Sequence, residues 1–293
     1  MAHILTIGIA ALDIINSVDV YPQEDDEIRA ISQDIRRGGN AANSAVILSQ
    51  LGHQCSWAGV LSDDSDGDFI CAELQRYDVD TANSYRISGG KTPTSYITTN
   101  RRNGSRTIVH YRDLPEYSLD QFKKIELSGY DWLHFEGRHC LATARMAQLA
   151  RKQQPQLPIS IEIEKSRPGI DRLFTLADLL LYSRAYAQSC GYKDGAKFLQ
   201  AMENLSPQAD LVCAWGSDGA YALEKSSNHQ NTSVSFSPAF PPPQLIDTLA
   251  AGDTFNAAII DACCKKLPLN EALTAACRLA GKKCGIEGLH IQV

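Results

Sequence analysis

The sequence lacks several features, and each absence excludes a different kind of protein. It has no stretch of about 18 uncharged apolar residues, so no segment reads as a membrane-spanning helix. The apolar start, residues 1–18, has no basic residues ahead of it and no cleavage pattern, and Asp13 interrupts it. It reads as a buried first strand. Nine cysteines are present, an odd number, and no two are spaced CxxC; Cys263 and Cys264 are adjacent and the rest are scattered. That pattern argues against a disulfide framework and against a structural zinc site, and for reduced thiols in a cytoplasmic chain. In that setting the sequons at Asn103, Asn204 and Asn231 carry no meaning. There is no excess of positive charge: 28 Lys and Arg face 34 Asp and Glu, a net charge of −6. A nucleic-acid binder held mainly by phosphate contacts is therefore not expected. Finally, there is no GxxxxGK[ST] and no GxGxxG after the first strand. A P-loop site and the usual dinucleotide fold are both excluded.

What is present is an ordinary globular composition, 44% hydrophobic and 21% charged over 293 residues. That length suits one large α/β domain or two smaller ones. Apolar runs at 4–9, 55–61, 132–135, 159–163, 179–181 and 211–214 read as strands. Helical periodicity appears at 40–51, 66–77, 142–153, 252–266 and 270–283. Strands alternating with helices predict a mostly parallel sheet covered on both faces. Two segments break the alternation. Residues 14–36 and 91–111 are β-rich, and the second is built around Asn103-Gly104, a hairpin signal. They are either a small sheet inserted over a site or at a dimer surface, or a pair of ordinary edge hairpins.

Residues 247–257 read Asp-Thr-Leu-Ala-Ala-Gly-Asp-Thr-Phe-Asn-Ala. Small residues ahead of a helix let backbone N–H groups approach an anion, and the helix N-terminus supplies unpaired donors. Asp253 would sit in the first turn, either capping the helix or acting as a base beside a bound phosphate. Residues 37–43 read Arg-Gly-Gly-Asn-Ala-Ala-Asn. Asn40 and Asn43, three apart, either converge on a polyol or simply begin a helix after a glycine turn. Asp13 stands at the carboxyl end of an apolar strand, where open α/β sheets bind ligands; a turn-forming Asp is the alternative. His134 and His139 around Glu136 do not have zinc-pair spacing. Lys265, Lys266, Lys282 and Lys283 read as solvated helix ends.

In order and spacing, these motifs resemble the ribokinase-like (pfkB) carbohydrate kinases. Residues 247–253 are similar to the family signature DTxGAGD, and residues 37–43 to its glycine motif GGxxxN. Shorter stretches at 12–13, 21–25, 104–108, 134–138, 212–215, 240–243 and 280–285 resemble most closely the branch that phosphorylates ketohexoses. The resemblance thus covers nearly the whole chain. It implies a ribokinase-like three-layer α/β/α sandwich with a small β-sheet lid. Residues 1–13, 37–90 and 112–293 would form the core, and 14–36 and 91–111 the lid, which would clasp a second copy in a homodimer. It implies transfer of the γ-phosphoryl group of ATP to a ketohexose, D-fructose giving fructose 1-phosphate. Another kinase of the family, acting on ribose, a nucleoside or a sugar phosphate, and a catalytically silent sugar-binding regulator are the alternatives. A phosphorylated sugar would need an extra Lys or Arg near Asp13 or Asn40, and none is expected there.

The resemblance also assigns roles. Asp253 is the base, and the amides of Ala250, Ala251 and Gly252 bind the transferring phosphoryl group. Asp13, Gly39, Asn40 and Asn43 hold the sugar, Arg106 lies between sugar and phosphates, and Asp25 reaches into the partner's sugar site. Trp215, Gly216, Asp218 and Gly219 lie near the nucleotide, with Phe255, Cys277 and Ala280 around the adenine. Glu136 and Lys165 line the cleft near the phosphates. ATP and Mg²⁺ are the implied cofactors, with K⁺ a candidate third, and the metal ligands stay open. Two departures stand out: Ala250 replaces the usual glycine, and the NxxE motif is missing where the chain reads Tyr182-Ser183-Arg184-Ala185.

Overall fold

The computed structural model describes residues 1–225 and 233–291. The sequon at Asn231 falls outside them. A nine-stranded sheet runs in the order Ser235–Ser237, Ala220–Leu223, Asp210–Ala214, Leu179–Ser183, Ile159–Ile163, Trp132–Glu136, His3–Ile7, Gln54–Ala58, Val79–Asp80. All pairings are parallel except the two made by Ala220–Leu223. The first strand, His3–Ile7, lies between Gln54–Ala58 and Trp132–Glu136. The chain therefore winds outward from the middle in both directions, and a crevice opens at the carboxyl ends of the central strands.

Alternate residues of the strands feed two separate cores. Leu5, Leu133, Phe135, Ile161, Leu180 and Leu211 pack on one side. Ile4, Trp132, Leu179, Leu181 and Val212 pack on the other, beneath helices Asn40–Gln50, Ala251–Cys264 and Leu269–Cys284. Strands buried on both faces explain why the sequence shows short continuous apolar runs rather than alternation. His134 belongs to this interior: it is fully buried, with Nδ1 2.9 Å from Ser160 Oγ, and burial alone pushes its pKa down to about 4. Among the described residues, no helix is long and apolar enough to cross a membrane.

A separate four-stranded sheet has the order Ser32–Gly38, Ala11–Val18, Thr94–Asn100, Arg106–Tyr111. It joins the two β-rich segments and stands over the crevice. Its register places Ile15, Ile97 and Ile108 in one cross-strand row and Ile35, Ile14, Tyr96 and Val109 in the next. Asp13 and Arg37 lie inside its strands, close to where the chain crosses to the large sheet.

Three local expectations need correction. The run at 55–61 is two strands, Gln54–Ala58 in the large sheet and Val60–Ser62 paired with Tyr85–Ile87. The break falls at Gly59, where a Cβ would lie 2.1 Å from the Trp57 ring and 2.4 Å from Gly8 O. The hairpin at Asn103-Gly104 is not a two-residue turn. Asn100 N bonds Ser105 O, Gly104 N bonds Asn100 O, and only Gly104 has positive φ (69°). Lys283 is not solvated: its side chain is fully buried, 2.9 Å from Asp247 O and 3.0 Å from Asp247 Oδ2.

Glycines with positive φ follow one another at the two ends of helix Asn40–Gln50, for different reasons. Gly52 (φ 91°) ends it with open space around its Cα. Gly39 (φ 97°) starts it, and a Cβ there would sit 2.4 Å from Ile9 O. Gly52→Ala is expected to cost ~1–2 kcal/mol from backbone strain alone. Gly39→Ala should cost a further ~1–3 kcal/mol, because packed backbone must also move. Urea denaturation of the two variants checks this. Equal losses would mean that the close approach at Gly39 constrains nothing.

Candidate active site

The crevice under the small sheet is a cleft of about 830 Å³. The large sheet contributes Ile9, Glu136 and Glu162 from the carboxyl ends of three adjacent strands, and the small sheet contributes Asp13, Ile15, Ser95 and Ile97. The helix that starts at Asn40 and the helix that starts at Ala251 both point their N-termini at it.

The glycine pair makes the approach possible. A Cβ on Gly38 would lie 2.0 Å from Asp13 Oδ2, and one on Gly39 would strike backbone. Asn40 and Asn43, one turn apart, both enter the site. Asn40 Nδ2 donates to both oxygens of Glu162 at 3.1 Å. Asn43 Nδ2 donates to Asp253 Oδ2 at 2.6 Å. Asp13, Asn43 and Asp253 thus share one cleft.

Asp253 does not cap its helix. The N-cap is Ala250, in the left-handed conformation (φ 59°, ψ 15°), with no side-chain capping bond. The Asp253 carboxylate instead turns to Asn43. Burial pushes its pKa up to about 7; the charges of Glu164 and Glu136 add to this, and the Asn43 hydrogen bond and Arg37 oppose it. Glu162 lies well above the usual carboxylate range, chiefly from burial and then from Asp253, and Glu136 is raised by burial as well. Asp13 is pushed up to about 6 by burial, against Ser95, Arg37 and Arg36. Beside Asp253 the space in front of Gly252 is open, since a Cβ there would meet nothing within 4 Å. Ala251 N donates to Thr248 O at 3.3 Å, while the Gly252 and Asp253 N–H groups have no intrahelical partner and can receive an anion.

The loop of residues 247–250, the candidate anion loop, is tied down from both sides. Asp247 accepts from Leu249 N and Gly288 N, pairs with the buried Lys283, and receives Arg36 Nη1 at 2.9 Å. Arg106 Nη1 reaches Thr248 Oγ1 at 3.1 Å. Arg36 and Arg106 come from the small sheet, so these contacts tie that sheet to the loop. At the far end Glu136 holds Ile9 N at 2.9 Å and Arg138 at 3.5 Å, and Lys165 pairs with Glu164.

The expected residues divide into two groups. Asp13, Gly39, Asn40, Asn43, Arg106, Glu136, Lys165, Ala250, Ala251, Gly252 and Asp253 all line the cleft. Asp25 does not; it is exposed in the segment between the first two strands of the small sheet, with φ 62°. Phe255 and Cys277 are buried in the helix-side core, and Ala280 packs against it. Trp215 is buried against Tyr221 under Arg184, whose other contact is Asp218. Gly216 begins the short turn after Trp215, and Gly219 packs on Ser237 O, the atom that Cys277 Sγ approaches. None of these residues lines the cleft.

Arg37 corrects the expectation of no basic residue near Asp13. It is buried, lines the cleft, and donates to Asn43 Oδ1 at 2.7 Å. Glu162 and Asn256 were also missed. Asn256 Nδ2 donates to Glu162 Oε1 at 3.1 Å. A glutamate ending the apolar run Ile-Ser-Ile-Glu, and an amide three residues after Asp253, were the available signals.

Among the described residues, no three His, Cys, Asp or Glu side chains are placed to ligate an ion directly. Mg²⁺ needs no such cluster, since it keeps waters and leans on one or two carboxylates plus substrate phosphates. Glu136 and Glu164, which both line the cleft, are the carboxylates there that could lean on such an ion.

The family model described as pfkB family carbohydrate kinase matches residues 1–291. Ketohexokinase of Mus musculus is 39% identical over 294 residues, covering 98% of this chain and 97% of its own. Fructosamine kinase FrlD of Bacillus subtilis is 25% identical, covering 86% of this chain and 84% of its own. Among solved structures, ribokinase from Giardia lamblia superposes with a TM-score of 0.83 at 18% identity, over 99% of this chain and 96% of that one. Arabidopsis thaliana ribokinase complexed with ribose and ATP gives a TM-score of 0.79 at 19% identity, over 98% and 94%.

The raised carboxylate at Asp253 has a consequence for stability. Its folded pKa of about 7 exceeds the ordinary value of 3.8, so the native state holds a proton that the unfolded chain has already released. Stability from this group is fully present below about pH 3.8, falls as pH rises from there through 7, and changes little above that. Between pH 5.5 and pH 8 the loss is on the order of 2 kcal/mol. Asp253→Asn should remove that part of the slope and make the unliganded protein more stable at pH 8, read from urea midpoints at both pH values. An unaltered slope would place the Asp253 carboxyl near its ordinary pKa.

Proposed function

The chain belongs to the pfkB family of carbohydrate kinases and is an ATP-dependent carbohydrate kinase, and from that premise we propose that it phosphorylates a ketohexose, D-fructose, at the C1 hydroxyl. The observation that carries this reading is Asp253: a buried carboxyl in the first turn of a helix, bonded across the cleft to Asn43 and set beside open backbone donors. In the proposed step Asp253 takes the proton of the hydroxyl. The hydroxyl oxygen bonds the γ-phosphorus, the bond from that phosphorus to the β–γ bridging oxygen breaks, and ADP leaves. The Ala250, Ala251 and Gly252 segment receives the charge on the transferring group, where each preorganised donor typically contributes ~10²–10³ in rate. Asp13, Asn40 and Asn43 hold sugar hydroxyls, and Arg106 lies between sugar and phosphates. Mg²⁺ supplies charge neutralisation on the phosphates when bound, and Glu136 and Glu164 would hold it. Trp215, Gly216, Asp218, Gly219, Phe255, Cys277 and Ala280 are the proposed seat of the nucleotide base.

The choice of fructose is supported by the 39% identity to a ketohexokinase, and ribose and a fructosamine are the competing sugars that the other relatives raise. With ATP and Mg²⁺, purified protein should turn over fructose with kcat/KM at least ~10-fold above ribose, fructosamine, glucose and adenosine, a modest ratio for hydrogen-bond readout of a hydroxyl. Asp253→Asn should lower kcat by ~10² or more with sugar affinity nearly kept. Preference for ribose would move the chain to another branch of the family, and normal turnover by Asp253→Asn would remove the base. A cytoplasmic setting fits the nine free thiols.

We also propose a homodimer clasped through the small sheets. Ile35, Tyr96, Val109 and Tyr111 leave large apolar surface exposed there, with Val109 at 65%. The strand Arg106–Tyr111 is exposed at every position and forms a free edge. Proteins usually cover such edges, and a two-fold pairing buries a self-complementary patch on itself. Asp25, outside its own cleft, would complete the partner's sugar site. Asp25→Ala should raise KM for sugar by ~10-fold or more, the equivalent of ~1.5–3 kcal/mol for a charged hydrogen bond. Sedimentation that finds a fully active monomer at assay concentration would rule out the shared site.

A further inference from the structure

Arg37 is a buried guanidinium that the reaction above does not use. It has no ion pair among the described residues, and its Nε is buried without a hydrogen-bond partner. Burial pushes its pKa down to about 10, against the fields of Tyr77, Glu73, Asp13 and Asp253. A buried charge left without direct compensation is a poor stabiliser. Its side-chain hydrogen bond among the described residues, Nη1 donating to Asn43 Oδ1 at 2.7 Å, is directional.

That direction matters for chemistry. A guanidinium only donates, so the Asn43 oxygen must face Arg37. The Asn43 Nδ2 group is then forced toward Asp253, where it is found at 2.6 Å from Oδ2. A flipped amide would aim a carbonyl at a carboxylate, with no proton between them unless Asp253 carried it. With the amide held as it is, a substrate hydroxyl entering between the two residues can accept from Nδ2. Its own proton must then face Asp253.

We propose that Arg37 is a positioning residue for phosphoryl transfer: by fixing the orientation of the Asn43 amide it presents an N–H donor to the reacting hydroxyl and keeps Asp253 as the acceptor. This rests on the reading of Asp253 as the base. The groups around Asp253 come from four elements: Asn43 from the helix that follows the glycine pair, Arg37 from the small sheet, Glu136 from one strand end, and Glu162 with Glu164 from the next. Arg37 is the cation among those that act on Asp253, opposed by the carboxylates.

The test compares Arg37→Met and Arg37→Lys with the parent enzyme, using ATP, Mg²⁺ and the sugar that the panel identifies. Arg37→Met should lower kcat by ~10–100-fold, the scale of losing alignment at a reacting group, while KM for ATP changes less than ~2-fold. The acid limb of its kcat/KM profile should move up by about one pH unit, as loss of a nearby cation requires. Arg37→Lys keeps the charge and loses the rigid fork. Its limb should stay in place while kcat falls several-fold, and it remains informative if the Met variant does not fold. A uniform fall in kcat with an unmoved limb in Arg37→Met, or a displaced limb in Arg37→Lys, overturns the proposal. Asp253→Asn separates the two levels. If that variant keeps normal turnover, the base reading fails; if it is inactive and Arg37→Met is normal, only the role of Arg37 fails.

Discussion

Negative charge is concentrated at the carboxyl ends of the central strands, and the site is organised around containing it. Glu136, Glu162 and Asp253 are buried, and their mutual repulsion adds to the cost of burial. Three asparagines answer this without adding charge. Asn40 and Asn256 bind Glu162, and Asn43 binds Asp253. Amides satisfy carboxylate lone pairs but neutralise nothing, so the pocket stays ready for cations that arrive with a nucleotide. A site lined with lysines would have held the acids ionised and filled the same space.

This arrangement depends on the topology. Parallel strands wound from the centre outward put the carboxyl ends of His3–Ile7, Trp132–Glu136 and Ile159–Ile163 side by side. The small sheet closes the cleft from above and brings its own charges. Arg36 and Arg106 cross to the anion loop, while Arg37 turns inward to Asn43. Three arginines on one small sheet thus reach both the 247–250 loop and Asn43.

Much of this was legible from residues alone. The alternating apolar runs gave the sandwich, and the two β-rich interruptions joined into one sheet as one of the two readings required. The glycine pair and the small-residue run located both helix N-termini. What was not legible depends on distant partners. Gly59 breaks a strand only because the Trp57 ring and Gly8 O occupy the space beside it. Lys283 looked like a solvated helix end because its partner, Asp247, is 36 residues away. Arg37 drew no role from the sequence; the fold set it beside Asp13 and Asn43. Polar residues carry weak sequence signals because their burial is decided by who meets them.

Ala250 shows how the anion loop keeps its shape at a cost. It stands where the family usually has glycine, and its left-handed backbone costs roughly 1–2 kcal/mol for a residue with a Cβ. The strain persists because both flanks are fixed. On the far side, Thr254 donates to Ala250 O from both its N–H and its Oγ1, each at 2.9 Å. On the near side, Asp247 is gripped by Lys283, Arg36 and two backbone amides. The Lys283 ammonium is itself buried and is kept there by Asp247, whose carboxyl it holds below the ordinary range in turn. Each part would be unfavourable alone: the left-handed alanine, the buried lysine, and the half-buried aspartate. Together they over-determine one loop geometry, the condition under which local strain survives at a functional site. The methyl group of Ala250 also removes backbone freedom that a glycine would have kept in the unfolded chain, which returns part of the cost.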